Sequence, residues 1–565
     1  MINKKIADIF YEVAKLLELQ GHTFRSRAYQ KAARTIDSMK KDILTYYEEG
    51  TLRDIEGIGK ALEEKISEII ETGSLEYLDN LKEEIPEGLL DIMRVPGIGP
   101  NKAKQMYEEL DITDLTELKT AVEEKRIREL EGFGAKTEEK ILNGINMLDK
   151  VSGRHLMNEI VPLADELIEL LESAAERLEK AGSLRRWKET IGDIDILTTG
   201  EPHEIMDAFV SHPNINEVLM RGDTKTSILF ENGIQADLRV VEKENFGAAL
   251  QYFTGSKEHN VKVRQIAIEK GYKLNEYGLF EEKKAVAGES EEGIYEALGM
   301  NWIPPELRED RGEIDASKEG KLPELITLED IKGDLQMHSN WSDGQNTIME
   351  MAEEAQDMGY DYIAITDHTQ SLSVAGGLNE EEVVSRQEEI DQANKELDLT
   401  VLAGMEVDIL KDGSLDLQTD TLEHLDLVLA AVHSNFSLSS EVQTERIIDA
   451  FSTGLVDIFA HPTGKKIGER EPYEINLTKV IDAAVDYDVA LEINAFPQRL
   501  DLDSLDAREA MERGVTISLG TDAHGLQHLH FMKYGVGVAR RAWLEKENLL
   551  NTKGIDDLMK YIGVE

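Results

Sequence analysis

The segment IGDIDIL, residues 191–197, places Asp193 and Asp195 two apart within an apolar run. A strand alternates its side chains, so both carboxylates share one face while Ile194 and Ile196 take the other. Two carboxylates that close repel each other unless a divalent cation lies between them. Asp237 in QADLRVV, on a later strand able to pair alongside, is the third candidate. Three carboxylates can hold two Mg²⁺ ions, the arrangement that activates an attacking oxygen and stabilises a leaving one in phosphoryl transfer. A lone Asp-x-Asp is as well explained by a solvated strand face, but a Gly-Ser turn, Gly182-Ser183, stands ten residues before the pair and favours phosphate chemistry.

A second set of ligand-type residues falls in the carboxyl-terminal part of the chain. It comprises His338 and Asp343 in LQMHSNWSDG, His368 closing YIAITDH, Glu406 in LAGMEVD, His433 closing LVLAAVH, His461 in DIFAHP, and Asp522 and His524 in ISLGTDAH. A polar residue just after the last apolar one of successive parallel strands lies on the carboxyl-terminal rim of a barrel, where barrel enzymes place their chemistry. One histidine at a strand end is usually structural; this many at equivalent positions argue for metal. The chain has no cysteine, so imidazole and carboxylate must be the ligands, a set suited to Zn²⁺ or Mn²⁺.

Three stretches repeat one pattern: IEGIGKAL (55–62), VPGIGPNK (95–102) and LEGFGAKT (130–137). In each, two glycines (Gly57 and Gly59, Gly97 and Gly99, Gly132 and Gly134) flank an apolar residue and precede a helical sequence. The glycines permit a tight turn with positive φ, and the helix that follows opens with outward N–H groups able to cradle a phosphate. A single such turn is more often a plain helix connection. Three within one region make a plain connection a weaker explanation and a phosphate cradle a stronger one.

The elements that carry these residues follow from composition and periodicity. With 565 residues and 41% hydrophobic content, the soft prior of ~100 to 200 residues per domain gives three to five domains. The start, MINKKIADIFYEVAKLLELQ, reads as an amphipathic helix and not a signal peptide, and no apolar run approaches the ~20 residues of a membrane span. Without cysteine for disulfides, a cytoplasmic home is the simplest expectation. The formal net charge is −51, and residues 311–565 hold 51 of the 113 acidic residues against 21 of the 62 basic ones. That acidity reads first as solubility. Residues 1–40 run the other way, with eight Lys/Arg against four Asp/Glu, a modest basic footprint for a polyanion. From about residue 151 the pattern turns mixed, with a helix near 159–181 and strands around 191–198 and 234–241. Residues 303–330 are Pro-rich, charged and weakly periodic, which marks a connection with its linker at 311–330. Beyond it, short apolar strands alternate with helices, the rhythm of a parallel sheet or barrel.

The three glycine turns resemble the helix-hairpin-helix modules of DNA-repair proteins. AGSLRRWKETIGDID and YFTGSKEHN (252–260) make residues 1–310 similar to family X DNA polymerases of the nucleotidyltransferase superfamily. That resemblance implies metal ligation by Asp193, Asp195 and Asp237. It implies triphosphate binding by the Gly182-Ser183 turn and Arg186, with Asp237 nearest the attacking primer hydroxyl. Tyr252 and Phe253 would line the nucleotide sugar, Gly255 belongs to the same nucleotide-binding motif, and Asn260 and Arg264 would face the nucleotide and the template side. Arg239 would pair with the carboxylates when metal is absent. The amino-terminal region resembles the family's lyase domain, in which a lysine forms a Schiff base with a sugar aldehyde; by motif position this would be Lys65. Phe24 and Ala61 depart from the pattern there, standing where lyase members carry polar or basic helpers. Residues 333–565 look like a polymerase-and-histidinol-phosphatase (PHP) domain, a distorted (β/α)7-type barrel with up to three metal ions that hydrolyses phosphoesters. Its motif usually opens His-x-His, and this chain has Gln336-Met337-His338. Glutamine offers a neutral carbonyl oxygen, a poorer zinc ligand than imidazole.

The resulting expectation is a multidomain chain of α and α/β type. It has a helical lyase-like region at 1–80, a helical fingers-like region at 81–150, a nucleotidyltransferase palm of α+β type at 151–242, a thumb-like domain at 243–310 and a PHP barrel at 331–565. The expected function is gap-filling DNA repair synthesis with a 3′-5′ exonuclease, further cutting at abasic sites and lyase activity. Its partners would be gapped or nicked duplex DNA and deoxynucleotides, and its state a monomer. Two rivals stand beside it: a small-molecule phosphoesterase fused to DNA-binding modules, and a non-catalytic scaffold for DNA ends.

Overall fold

The computed structural model describes residues 2–19, 22–37, 39, 43–48, 50–55, 57–75, 77–78, 81, 88–93, 95, 98, 100–130, 132–134, 137–138, 141–142, 154–467, 470 and 472–563. The chain divides into two compact units, 1–153 and 154–565.

The first unit is helical. Helix Ile2–Leu19 buries Ile6, Phe10, Val13 and Leu17, an i, i+3/i+4 stripe that packs on helix Thr23–Asp37. The three repeats share one device. Ile58, Ile98 and Phe133 each donate a backbone N–H to the carbonyl three residues back, on Ile55, Val95 and Leu130, at 3.0, 3.0 and 3.1 Å. Each also buries its side chain in the common core of this unit. Gly57 and Gly132 adopt φ of +89° and +82°, values that a side chain would strain, and both are exposed together with Gly59 and Gly134. Gly97 and Gly99 lie outside the described residues.

The second unit begins with the palm. Its five strands run in the order Arg177–Lys180, Asp193–Thr199, Gln235–Val240, Lys225–Phe230, Ile215–Arg221. Only the pairing of Asp193–Thr199 with Gln235–Val240 is parallel. Ile194, Ile196, Ala236 and Leu238 turn to one face and pack with Leu167 and Leu171 of helix Met157–Glu172 and with Phe209. The opposite face puts Leu197 against Phe246 and Ala249. The helix expected to reach residue 181 stops at Glu172, because Arg177–Lys180 leaves the helix to pair antiparallel with Asp193–Thr199.

In the thumb region, helices Phe246–Thr254 and Lys257–Glu269 precede a three-stranded antiparallel sheet, Tyr272–Asn275, Gly278–Glu281 and Lys284–Ala287. A buried ion network ties it to the palm. Glu291 receives Arg185 through Nη1 and Nη2 at 2.9 Å each and also receives the fully buried Arg308. Residues 311–330 hold a short helix, Glu313–Glu319, whose buried Glu313 meets His259 Nδ1 at 2.6 Å.

The carboxyl-terminal part is a nearly closed barrel of seven parallel strands taken in chain order: Gly333–Met337, Tyr362–Ile365, Thr400–Asp408, Leu427–Ala431, Ile458–Phe459, Ala490–Asn494 and Ile517–Gly520. Closure comes where Met337 bridges Ala523, with His338 N–H donating to the Ala523 carbonyl at 2.8 Å. Nearly every strand residue is buried, which explains why the strands read as continuous apolar runs and not as alternating ones. Gly333 opens the first strand at a position where a Cβ would overlap the Tyr362 backbone carbonyl and ring. Gly333→Ala should therefore cost about 1–3 kcal/mol of stability through overpacking. A thermal melt of the full chain followed by circular dichroism should show an earlier unfolding transition than the parent protein.

Candidate active sites: a palm carboxylate face and a barrel-rim metal centre

In the palm, the parallel register sets Asp195 directly beside Asp237 and Asp193 beside Gln235. Asp193, Asp195 and Asp237 are thus brought to one face, as strand alternation requires. The Gly182–Arg185 turn lies against them. Gly182 has φ +63°, and a Cβ there would collide with the Asp195 carboxylate, so only glycine lets the turn approach so closely. Burial first, then the charges of Asp193 and Asp237, push the Asp195 carboxyl up to about 7. Asp193 is likewise raised, mainly by burial. Burial alone would raise Asp237 too, but hydrogen bonds from Lys225, Ser227 and Gln235 outweigh it and hold this carboxyl below its usual range.

The cation beside Asp237 is Lys225, whose Nζ is 2.5 Å from Oδ2. Arg239, expected to pair with the carboxylates, stacks on Phe253 with its guanidinium carbon 4.4 Å from the ring centroid, and from there its charge still favours the ionised forms of Asp193 and Asp195. Register explains the place of Lys225: it sits opposite Arg239 across the antiparallel pair, two residues from the Ser227–Asp237 pair. Lys225 went unnoticed in the sequence because only the pairing of strands brings it near.

The turn after helix Phe246–Thr254 carries the second motif. Tyr252 and Phe253 meet edge to face at 5.1 Å. The buried Asn260 donates from Nδ2 to the carbonyls of Tyr252 at 2.7 Å and Gly255 at 3.1 Å, and accepts from Gln251 at 2.9 Å. A Cβ on Gly255 would press on Asn260 Oδ1 at 2.5 Å. Arg264 Nε donates back to the Asn260 carbonyl at 3.2 Å. Arg186 Nη1 reaches the Thr254 carbonyl at 2.6 Å, so the turns at 182 and 254 are joined.

On the barrel rim every expected ligand converges. Among the described residues three groups bring ligand atoms within 4.8 Å of one another: His338, Asp343, His368 and His524; His368, Glu406 and His433; and His338, Glu406 and Asp522. His461 lies outside those groups but reaches Glu406 Oε1 at 2.8 Å. Glu406 is the hub, with His368 Nδ1 at 3.1 Å, His433 Nε2 at 3.3 Å and His338 Nε2 at 3.5 Å. His461 and Asp522 adopt φ of +31° and +54°, strain of the kind that clusters at functional sites.

The donor set fits cations. Buried Nδ1 atoms of His338 and His461 have no hydrogen-bond partner among the described residues, and His368 Nδ1 and His433 Nε2 approach Glu406 outside hydrogen-bond geometry. Imidazole nitrogens without a hydrogen-bond partner, gathered around a shared carboxylate, are what a metal completes. Burial pushes His368 down to about 4, keeping it a neutral ligand.

Asp408, which the sequence reading passed over, accepts from His433 Nδ1 at 2.9 Å. That bond fixes the ring so that Nε2 faces Glu406. Its signal was its place two residues after Glu406 in MEVD. Gln336 lies beside the centre with its amide 3.1 Å from Asn494 and against the Glu492 carboxyl, to which its NH₂ group donates when so turned. A cleft of about 380 Å³ opens on the cluster, lined by Asp343, His368, Phe496 and Arg499.

Lys65 lies on helix Lys60–Thr72, half-buried, its Nζ 4.1 Å from the centroid of the Tyr77 ring. Phe24 is exposed. No helix among the described residues is long and apolar enough to cross a membrane.

Comparison with known proteins agrees with this layout. The family profile described as helix-hairpin-helix domain matches residues 1–75, and the SAM-like helix-hairpin-helix tandem matches 49–111 and 89–146. The DNA polymerase beta thumb matches 249–309, and the PHP domain matches 334–495. The chain is 40% identical over 571 residues to the DNA polymerase/3′-5′ exonuclease PolX of Bacillus subtilis (strain 168), covering 100% of this chain and 99% of that one. DNA polymerase lambda of Rattus norvegicus is 25% identical over 349 residues, covering 54% of this chain and 56% of that one. A probable phosphatase of Thermoanaerobacter sp. (strain X514) is 32% identical over 221 residues, 37% of this chain and 84% of that protein. A nucleotidyltransferase palm and polymerase thumb on the same chain as a PHP barrel, with likeness to PolX from end to end, establish that the chain belongs to the PolX family of family X DNA polymerases.

Proposed function

We propose that this PolX-family polymerase fills short gaps with deoxynucleotides at the palm and removes nucleotides from 3′ ends at the barrel rim. The observation that supports the first half is the close approach of Gly182 to Asp195, which leaves the Gly182-Ser183 turn against a carboxylate face where a triphosphate could lie. Mg²⁺ held by Asp193, Asp195 and Asp237 would neutralise charge on the transferring phosphoryl group. The chain's own groups do the positioning. Gly182, Ser183 and Arg186 grip the β- and γ-phosphates. Tyr252, Phe253 and Gly255 define the sugar pocket, Asn260 holds that turn, and Arg264 faces the template. Asp237, kept ionised by Lys225, accepts the proton of the primer 3′-hydroxyl. On the rim, Mn²⁺ or Zn²⁺ held by His338, Asp343, His368, Glu406, His433, His461, Asp522 and His524 would supply Lewis-acid activation for phosphodiester hydrolysis.

The glycine turns at 57–59, 97–99 and 132–134 would grip the backbone of gapped or nicked duplex DNA, and the protein would work as a cytoplasmic monomer. Lys65 is the proposed nucleophile of a 5′-deoxyribose-phosphate lyase, and cutting at abasic sites is a further activity of the rim. The likeness to a probable phosphatase favours a second reading, in which the barrel acts on small phosphomonoesters. Hydrolysis of p-nitrophenyl phosphate without shortening of DNA would support it.

The deciding substrate is a one-nucleotide-gapped duplex labelled at the primer 5′ end, with Mg²⁺ or Mn²⁺. Asp193→Ala combined with Asp195→Ala should reduce extension by more than about a hundredfold, the scale on which electrostatic stabilisation of a transition state is lost, while primer shortening persists. Normal extension by this double variant would refute the palm assignment. His338→Ala or Glu406→Ala should stop shortening and spare extension, and undiminished nuclease in both would place that activity elsewhere. Borohydride reduction in the presence of an incised abasic duplex should cross-link the protein through Lys65. Absence of an adduct, or an adduct that survives Lys65→Ala, removes the lysine from that role.

A further inference from the structure

The segment Arg186–Glu189 joins the phosphate turn to the carboxylate strand, and it is clamped by the nuclease barrel. Trp187 holds a left-handed φ of +53°, a costly conformation for a bulky residue that surrounding contacts must enforce. The indole packs on helix Met532–Arg541 of the barrel. A Cβ added to Gly537 would come within 2.7 Å of its ring, and the Tyr534 ring centroid is 6.4 Å away. Glu189 pairs with Lys465, in the loop after His461, at 3.3 Å.

The end of that helix supplies the most specific contact. Arg541 Nη1 donates to the backbone carbonyl of Arg186 at 2.8 Å and approaches Glu309 Oε1 at 3.2 Å. The same Glu309 oxygen accepts from Arg186 Nε at 2.8 Å, and Lys188 Nζ stands 3.7 Å from the other oxygen. Arg541, Glu309 and Arg186 are all largely buried. One carboxylate is therefore shared by three cations. Burial would raise Glu309, but Arg541 first, then Arg186 and Lys188, hold it far below the usual carboxylate range.

Sharing matters because three cations around one carboxylate leave the cluster net positive where a triphosphate would arrive, whereas Arg186 and Glu309 alone would be neutral as a pair. We propose that Arg541, a residue of the nuclease barrel, is a positioning residue of the polymerase site: it fixes the Arg186 backbone through its carbonyl and shares the Glu309 carboxylate that holds the Arg186 Nε, so that the guanidinium is oriented toward the incoming nucleotide's triphosphate. This rests on the reading of Arg186 as a triphosphate ligand. The barrel then has a role in synthesis that is independent of its metals.

Arg540 provides the control for mere adhesion between the barrel and the segments that precede it. Its Nε pairs with Glu306 at 2.8 Å and its Nη1 reaches the Ile326 carbonyl at 2.5 Å, without touching Arg186. Steady-state extension of the gapped duplex by the full-length protein should show Arg541→Ala raising the deoxynucleotide KM about tenfold, the scale of a lost hydrogen bond to a charged group, with kcat within about twofold. The inhibition constant for pyrophosphate should rise in step. The exonuclease rate should stay at the parental level, Arg541→Lys should recover part of the loss, and Arg540→Ala should leave KM unchanged.

An unchanged KM in Arg541→Ala, alongside a raised KM in Arg186→Ala, would overturn the coupling and leave the triphosphate reading standing. An unchanged KM in both would overturn the triphosphate reading itself. Equal effects of Arg540→Ala and Arg541→Ala would reduce the contact to adhesion and overturn the proposal. Should Arg541→Ala lose both activities through misfolding, Arg541→Lys decides: parental exonuclease with a KM rise of a few-fold supports the proposal, and a parental KM overturns it.

Discussion

Gathered carboxylates repel, and both active regions are organised around supplying the positive charge that makes the gathering tolerable. In the palm, Asp195 stands beside Asp237 in register with Asp193 next along the same face, and the Asp195 carboxyl is pushed up to about 7. Lys225 answers part of that demand by seizing Asp237, and divalent cations would answer the rest. On the barrel rim, Glu406 is ringed by four imidazoles, with Asp408 orienting one of them. Opposite charge within a few ångströms, in surroundings that screen poorly, is worth far more than at the surface.

The same logic reappears away from the chemistry. Glu291 sits between Arg185 and the buried Arg308, and Glu309 between Arg186 and Arg541. Each carboxylate takes one arginine from the turn that follows Gly182-Ser183. Consecutive arginines thus anchor that turn in two directions, one toward the thumb and one toward the barrel. A buried pair of this kind contributes little net stability but makes removal of either partner costly, so these networks serve to fix geometry. They allow residues 154–565 to behave as one compact unit although they hold two separate sites.

The net charge of −51 fits a DNA enzyme when read locally. Much of the acidity lies on helices such as Glu380–Glu396, where acidic residues in the first turn favour the helix dipole. The glycine turns proposed to grip the DNA backbone would do so through helix N–H groups, which need little lysine. Repulsion from the acidic barrel is screened beyond ~8 to 10 Å at ordinary salt.

The sequence by itself determined the chemistry and the elements that bear it. Period-two alternation sufficed to put Asp193 and Asp195 on one face, because a strand's pleat leaves no other choice. Ligand-type residues at the ends of apolar runs sufficed to place His338, His368, Glu406, His433, His461 and Asp522 on one rim, because parallel strands all end on the same side. The tertiary structure alone decided which cations answer those carboxylates. Antiparallel register brought Lys225 to Asp237 beside Arg239, and Arg541 met Arg186 across 355 positions of chain. It also ended the first palm helix at Glu172, where pairing with the carboxylate strand outweighed helical periodicity. Strand faces and rims are local geometry, written in the spacing of neighbours. The partner of a charge depends on how whole elements pack, and no spacing along the chain encodes that.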